Sequence, residues 1–67
     1  MKAKVIKNII QKMKDNGYSK VAIIKDDYVD IKQIIVDEDN ETILICKGDE
    51  GRYFVDCNSI NIVYNKF

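Results

Sequence analysis

The sequence predicts a small α+β, mostly β fold, in which one N-terminal amphipathic helix precedes a five-stranded antiparallel sheet that is bent or closed into a small barrel. Three observations lead to this fold class. Apolar residues recur at helical spacing over residues 3–16. Residues 20–65 consist of short segments rich in β-branched residues, separated by short polar turns that favour pairing of consecutive strands. A length of 67 residues allows one domain, residues 1–67.

The predicted helix covers residues 3–16 and is amphipathic. Lysine, asparagine and glutamine occupy one side of it, and apolar residues occupy the other. Asn16 and Gly17 mark its end, because glycine readily adopts the left-handed conformation that follows many helix C-termini. The apolar stripe consists of Val5, Ile6, Ile9, Ile10 and Met13.

Five strands are predicted after the helix, at residues 20–25, 28–37, 42–47, 52–57 and 60–65. The second strand changes phase along its length. Val29 and Ile31 alternate with polar residues, whereas residues 34–36 are consecutive apolar residues. Because a shift of one residue exchanges the two faces of a strand, we expect a bulge or sharp bend near Gln33.

The third and fourth strands form a predicted hairpin with its turn at residues 48–51. In this register Lys47 lies opposite Arg52 and Leu44 lies opposite Val55. Both faces of the hairpin then carry apolar side chains, and a sheet with one face in water alternates more regularly than this. We therefore expect the helix, barrel closure or another subunit to cover both faces.

The charge pattern limits the functions that the composition allows. The chain contains eleven basic and eleven acidic residues, and this balance disfavours a protein that coats DNA or RNA. Six lysines and one acid in residues 1–20 give that segment a charge of +5, and the remainder carries −5. This asymmetry favours one basic surface or head-to-tail assembly. Because so short a chain buries a thin core, we also expect it to form a homo-oligomer.

No catalytic or cofactor-binding pattern is present in the sequence. Histidine is absent, which excludes a Cys–His pair, and all three glycines lie at turns and not in a phosphate-binding loop. We therefore expect a non-enzymatic protein without cofactor or metal. Cys46 and Cys57 are interpreted as small buried hydrophobic residues, the alternatives being a reactive thiol or half of a metal site shared between subunits. The acidic residues 37–41 are interpreted as a solvated turn, the alternative being a site for a hard cation.

The chain has no pattern of a signal peptide and no apolar run of transmembrane length, so we expect a cytoplasmic protein with reduced cysteines.

One helix, five short strands, a bent second strand and a tight break before the fifth resemble the Sm-like family, which includes bacterial Hfq. The segment Val36-Asp37-Glu38-Asp39-Asn40 is similar to the end of the family's first motif, and Phe54-Val55-Asp56-Cys57-Asn58-Ser59-Ile60 has the shape of its second. Asp56 replaces the arginine of that second motif, and Cys57 replaces its glycine. The resemblance implies a ring whose pore loops bind single-stranded RNA.

Two functions follow as expectations. The first is an Sm-like oligomeric protein that binds single-stranded RNA or a nucleotide. Its expected ligand-binding loop residues are Asp37, Asn40, Asn58 and Ser59, and its basic helix face consists of Lys4, Lys7 and Lys14. The second is an inhibitor or adaptor of a phage or mobile element, which acts by protein–protein contact or sequesters a small nucleotide. A bias towards isoleucine, lysine, asparagine and aspartate, typical of AT-rich genomes, motivates it.

Each of these sites also has an ordinary structural interpretation. The lysines form the solvent-exposed face of an amphipathic helix. The four tyrosines are able to stack on bases, but tyrosines more often pack between strands.

Overall fold

A computed structural model of the chain describes residues 1–65. One helix, α1 (Ala3–Asp15), precedes six strands. These are β1 (Lys20–Ile24), β2 (Asp27–Asp30), β3 (Ile34–Asp37), β4 (Thr42–Cys46), β5 (Arg52–Asp56) and β6 (Tyr64–Asn65). The predicted α+β class is therefore confirmed. Within residues 1–65, no helix has the length and apolar character that crossing a membrane requires.

The strands form two three-stranded antiparallel sheets, whereas the sequence predicted one five-stranded sheet or barrel. Sheet I has the order β2–β1–β6, and sheet II has the order β3–β4–β5. Neither sheet is closed within the described residues. The predicted fifth strand is also shorter than expected, because only Tyr64 and Asn65 of residues 60–65 pair with β1.

The helix ends within one residue of its predicted limit. Gly17 follows it with a φ of 90°, a conformation in which a Cβ is unfavourable. Ile6 and Ile10 are buried as expected, and Ala3 completes the buried side of the helix. Val5, assigned to the apolar stripe, is instead 47% exposed, because the face that meets the core is narrower than the stripe.

The expected break near Gln33 is confirmed. A 3₁₀ turn at Ile31–Gln33 divides the predicted second strand into β2 and β3, which belong to different sheets. The turn is closed by a capping box, in which the Asp30 N–H donates to the side-chain oxygen of Gln33 over 3.1 Å. The bend thus passes the chain from sheet I to sheet II.

The predicted register of the β4–β5 hairpin is wrong by one residue. Leu44 lies opposite Phe54, and Ile43 lies opposite Val55. The connection is one residue longer than predicted, since the Lys47 N–H donates to the Gly51 carbonyl oxygen over 2.7 Å across a 3₁₀ turn. This shift turns Leu44 and Phe54 towards solvent, so sheet II has one covered face and one open face.

A single core unites the helix and both sheets. Ala3 and Ile6 from α1, Ile43 and Ile45 from β4, and Cys57 after β5 are essentially inaccessible to solvent. The chain terminus supports this arrangement, because the Met1 ammonium group donates to the carbonyl oxygens of Cys57, at 2.9 Å, and Ile60, at 2.7 Å.

Candidate functional site

The structure brings the two loops of the predicted RNA site to one end of sheet II. Asp37 ends β3 and Asp56 ends β5, and both lie opposite Thr42 at the start of β4. The turn that contains Asn40 and the 3₁₀ turn Cys57–Ser59 are therefore neighbours across the sheet. The two loops are neighbours even though neither sheet is closed within the described residues.

Side chains in the first of these loops are committed to the turn itself. The carboxylate of Asp37 accepts hydrogen bonds from the N–H groups of Asp39 and Asn40, each at 3.1 Å, and from the Asn40 side-chain amide at 2.7 Å. These bonds, the side-chain bond from Asn40 first, hold the pKa of Asp37 below its usual value. Asp37 and Asn40 therefore stabilise an Asx-type turn.

The second loop is ordered in a similar way. The Asp56 carboxylate accepts the N–H of Asn58 at 3.0 Å, and the hydroxyl group of Ser59 donates to the Asp56 carbonyl oxygen at 2.7 Å. Asn58 and Ser59 are exposed. Asp56 thus caps the 3₁₀ turn.

The charge at this end of sheet II is strongly acidic. Asp37, Glu38, Asp39, Glu41 and Asp56 lie in the two loops, and such a cluster repels phosphate groups. One of these acids stabilises the N-terminus of α1. A side-chain oxygen of Glu41 accepts the N–H of Ala3, in the first turn of the helix, at 3.0 Å. The loops therefore suit helix capping better than RNA binding.

The three lysines of the predicted basic face are exposed but do not act together. Lys7 forms an ion pair with Glu38 at 3.4 Å, with both side chains about half exposed, and such pairs contribute little to stability. Lys7 and Lys14 border a groove of about 220 Å³ between α1 and β3, whereas Lys4 lies outside it. The other residues that line the groove are Ile10, Gln11, Ile31, Ile34 and Val36.

A polar cluster that the sequence analysis missed connects the two sheets. The Asp27 carboxylate in β2 accepts hydrogen bonds from the Lys47 ammonium group and the Tyr53 hydroxyl group, both at 2.5 Å. The Lys47 bond, then the Tyr53 bond, lowers the pKa of Asp27. Burial, and then the bond to Asp27, raises the pKa of Tyr53 to about 12. Because Lys47 and Tyr53 both donate to one carboxylate of the other sheet, the cluster acts as a structural clamp between the two sheets.

The open face of sheet II carries an apolar row that was also missed. Ile35, Leu44 and Phe54 are direct neighbours across β3, β4 and β5. Ile35 is 56% exposed and Phe54 is 71% exposed, while Leu44 between them is half-buried. The sequence analysis missed this row because its hairpin register paired Leu44 with Val55, which is a core residue. The correct register pairs Leu44 with Phe54.

The cysteines differ in their surroundings. Cys57 is fully buried, and burial together with the neighbouring acids Glu41 and Asp56 raises the pKa of its thiol. Cys46 is half-buried and lies opposite Arg52 on the open face. The two thiols are not bonded to each other, and residues 1–65 contain no group of three potential metal ligands.

Comparisons of the chain with protein-family models, with curated proteins and with solved structures found no match.

Proposed function

We propose that the protein is a non-enzymatic, Sm-like binding module that acts as a homo-oligomer, and that sheet II supplies its contact surface. The observation that carries this proposal is the row formed by Ile35, Leu44 and Phe54. Exposed apolar side chains that touch one another across a sheet are typical of interaction sites, whereas single ones are ordinary. Charged residues lie beside the two outer members of the row: Asp37 beside Ile35 in β3, and Arg52 and Asp56 beside Phe54 in β5.

The size of the chain supports a need for self-association. A domain of this length buries a limited apolar area, and burying one large apolar side chain completely stabilises a structure by about 1.5–3 kcal/mol. Burying Ile35 and Phe54 in an oligomer therefore contributes a free energy that is a sizeable fraction of the total free energy of unfolding of a small domain. The described residues contain no disulfide that could supply this stabilisation instead.

The strand order agrees with the Sm-like part of the proposal. When β2 and β3 are counted as one bent strand, the order is β6–β1–β2/β3–β4–β5, with an N-terminal helix. In the Sm-like interpretation, five strands in this order would belong to one strongly bent sheet. The Sm-like resemblance would join neighbouring subunits through β5 and β6. Of these two strands we assign the contact to β5 alone, because the described part of β6 has only two residues.

A matched pair of variants tests the proposal. Ile35 on sheet II is 56% exposed and Ile62 outside it is 58% exposed, so Ile35→Ser and Ile62→Ser remove similar exposed surface. In light scattering over a concentration series, we expect Ile35→Ser to shift self-association to higher concentration and Ile62→Ser to leave it unchanged. A wild type that remains a monomer at high micromolar concentration contradicts the proposal and favours a different protein as the partner, as in the adaptor hypothesis.

A second candidate function, binding of a nucleotide or single-stranded RNA, is favoured by the groove beside α1. Its floor is apolar and its border carries Lys7 and Lys14, a combination that suits a base attached to a phosphate. Fluorescence anisotropy with a labelled uridine oligonucleotide and a labelled nucleoside triphosphate tests it. Lys14→Glu weakens binding if the groove is the site, Asn58→Ala weakens it if the loops are, and Lys4→Glu serves as the control.

A further inference from the structure

We propose that β5 pairs with the β5 strand of a second copy of the chain, antiparallel and centred on Phe54, so that two copies share one continuous sheet II. This inference rests on the proposed homo-oligomer and specifies its interface. Within residues 1–65, β5 pairs with β4 on one side, and no strand pairs with its other edge. An unpaired edge exposes a row of main-chain donors and acceptors, which is a template for another strand.

The hydrogen bonds at both ends of the hairpin show which main-chain groups point outwards. The Cys57 N–H donates to the Glu41 carbonyl oxygen at 3.0 Å, and the Lys47 N–H donates to the Gly51 carbonyl oxygen at 2.7 Å. Because bonding alternates along an antiparallel ladder, odd-numbered residues of β5 face β4. The main-chain groups of Arg52, Phe54 and Asp56 therefore face the open edge.

The open edge of β5 is complementary to itself. In an antiparallel pair centred on Phe54, Arg52 lies opposite Asp56 of the partner subunit, and the same pair recurs on the other side of the two-fold axis. Side chains directly opposite in such a pair have Cβ atoms about 5 Å apart, within reach of an arginine–carboxylate bond. Arg52 and Asp56 are exposed and form no ion pair among the described residues. The Asn58 N–H occupies one carboxylate oxygen of Asp56, so the other oxygen can accept from Arg52 of the partner subunit.

This pairing also accounts for the apolar row. Ile35, Leu44 and Phe54 would continue across the two-fold axis into the same three residues of the second copy, with the two Phe54 rings adjacent. Aromatic cross-strand pairs stabilise antiparallel sheets.

The other sheet edges are less suited to this contact. Natural edges are protected by short strands or charged side chains. β2 begins and ends with aspartate, and the described part of β6 has two residues. β5 has five residues, no lysine and a phenylalanine at its centre. The remaining edge strand, β3, has four residues and lies beside α1, with which it lines a groove. β5 is therefore the longest edge strand of the described structure, and its terminal charges are opposite in sign.

Charge exchange tests the register directly. Arg52→Asp and Asp56→Arg each place like charges opposite one another in a homodimer, so we expect each variant alone to dissociate at least about tenfold more readily than the wild type. An equimolar mixture of the two variants restores complementary pairs on both sides of the axis. Light scattering should therefore give a dimer, twice 7.8 kDa, for the wild type and for the mixture.

The outcomes separate this inference from the proposed function. A ring or larger oligomer that both variants leave intact overturns the β5 pairing but keeps self-association. A wild type that is monomeric overturns both. If each variant dissociates but the mixture does not reassociate, the register is wrong.

Amide hydrogen exchange on the wild type gives a second measurement that needs no variant. In the monomer, Tyr53 and Val55 should be protected through their bonds to β4, while Phe54 should exchange rapidly. In the paired dimer the Phe54 amide should become protected as concentration rises. Rapid exchange of Phe54 in a concentrated, self-associated sample overturns the inference. Because Asp56 also caps the following turn, Asp56→Asn, which keeps an acceptor oxygen, is the folding control for Asp56→Arg.

Discussion

The two sheets have the same number of strands, but their middle strands are covered to different degrees. In β1 of sheet I, Val21, Ala22 and Ile23 are all buried, so both faces of the strand are covered. In β4 of sheet II, only alternate residues are buried, namely Ile43 and Ile45. Both faces of sheet I are thus covered within one chain, whereas one face of sheet II stays open to solvent.

The cover of sheet I comes from its own flanking strands. Tyr28 and Tyr64 lie on either side of Ala22 across the sheet, and their ring centroids are 5.6 Å apart in an edge-to-face contact. Flanking strands are about 10 Å apart, so the rings lean towards each other over the small alanine side chain. Sheet II has Leu44 at the equivalent position, with Ile35 and Phe54 beside it. The larger Leu44 side chain keeps Ile35 and Phe54 apart, so these two side chains do not close over the face as the tyrosine rings do over Ala22.

The largest effect is expected from two adjacent residues of β4. Ile43→Ala removes a fully buried side chain and should lower the free energy of unfolding by about 2–5 kcal/mol. Leu44→Ala, on the open face, removes a half-buried side chain and should lower it by about 1–2 kcal/mol at a concentration too low for association. Urea denaturation of both variants measures the difference. Equal losses would contradict the assignment of an open face. If Ile43→Ala does not fold, Ile43→Val should still lower it by about 0.5–1.5 kcal/mol.

A smaller effect is expected at Ala22, and it tests why sheet I is closed. Ala22→Leu inserts a large side chain beneath the rings of Tyr28 and Tyr64 and should destabilise the domain by about 1–3 kcal/mol. Ala22→Ser adds one small atom and is the matched control. Thermal unfolding followed by circular dichroism compares the two variants. A Leu variant as stable as the wild type would show that the rings do not close this face.

The helix and the bend were predictable because local rules determine them. Apolar spacing and Gly17 define the helix, and the phase change around Gln33 requires a break in any sheet. The hairpin register was not predictable from the same pattern, since β4 has apolar side chains on both faces and its phase is set by the conformation of the Lys47–Gly51 connection. That one-residue error concealed the apolar row.

The candidate site shows the same division. The sequence indicated two polar loops, and the structure places them side by side, since Asp37 and Asp56 share the neighbour Thr42. Their internal hydrogen bonds, which commit Asp37 and Asp56 to turns, depend on main-chain geometry that the residue pattern does not contain. The cluster of Asp27, Lys47 and Tyr53 brings together residues from separate parts of the chain, so no spacing rule indicates it.

The smallest effect concerns this cluster, which is where the two sheets meet through polar side chains. Tyr53 has its pKa raised from 10.0 to about 12, so the unfolded chain releases this proton at lower pH than the folded protein. The stability that the contact contributes is therefore fully present below pH 10 and is lost as pH rises towards about 12. Because the cluster is partly exposed, we expect a loss on the order of 1 kcal/mol.

Tyr53→Phe isolates this contribution, because it removes the proton and keeps the ring and the ion pair between Asp27 and Lys47. Tyrosinate absorbance should show a transition near pH 12 in the wild type that the variant lacks. Urea denaturation between pH 10 and 12 should show a steeper loss of stability for the wild type than for Tyr53→Phe. Parallel losses would indicate that the two sheets are held together by the shared apolar core alone, and that the clamp contributes no stability of its own.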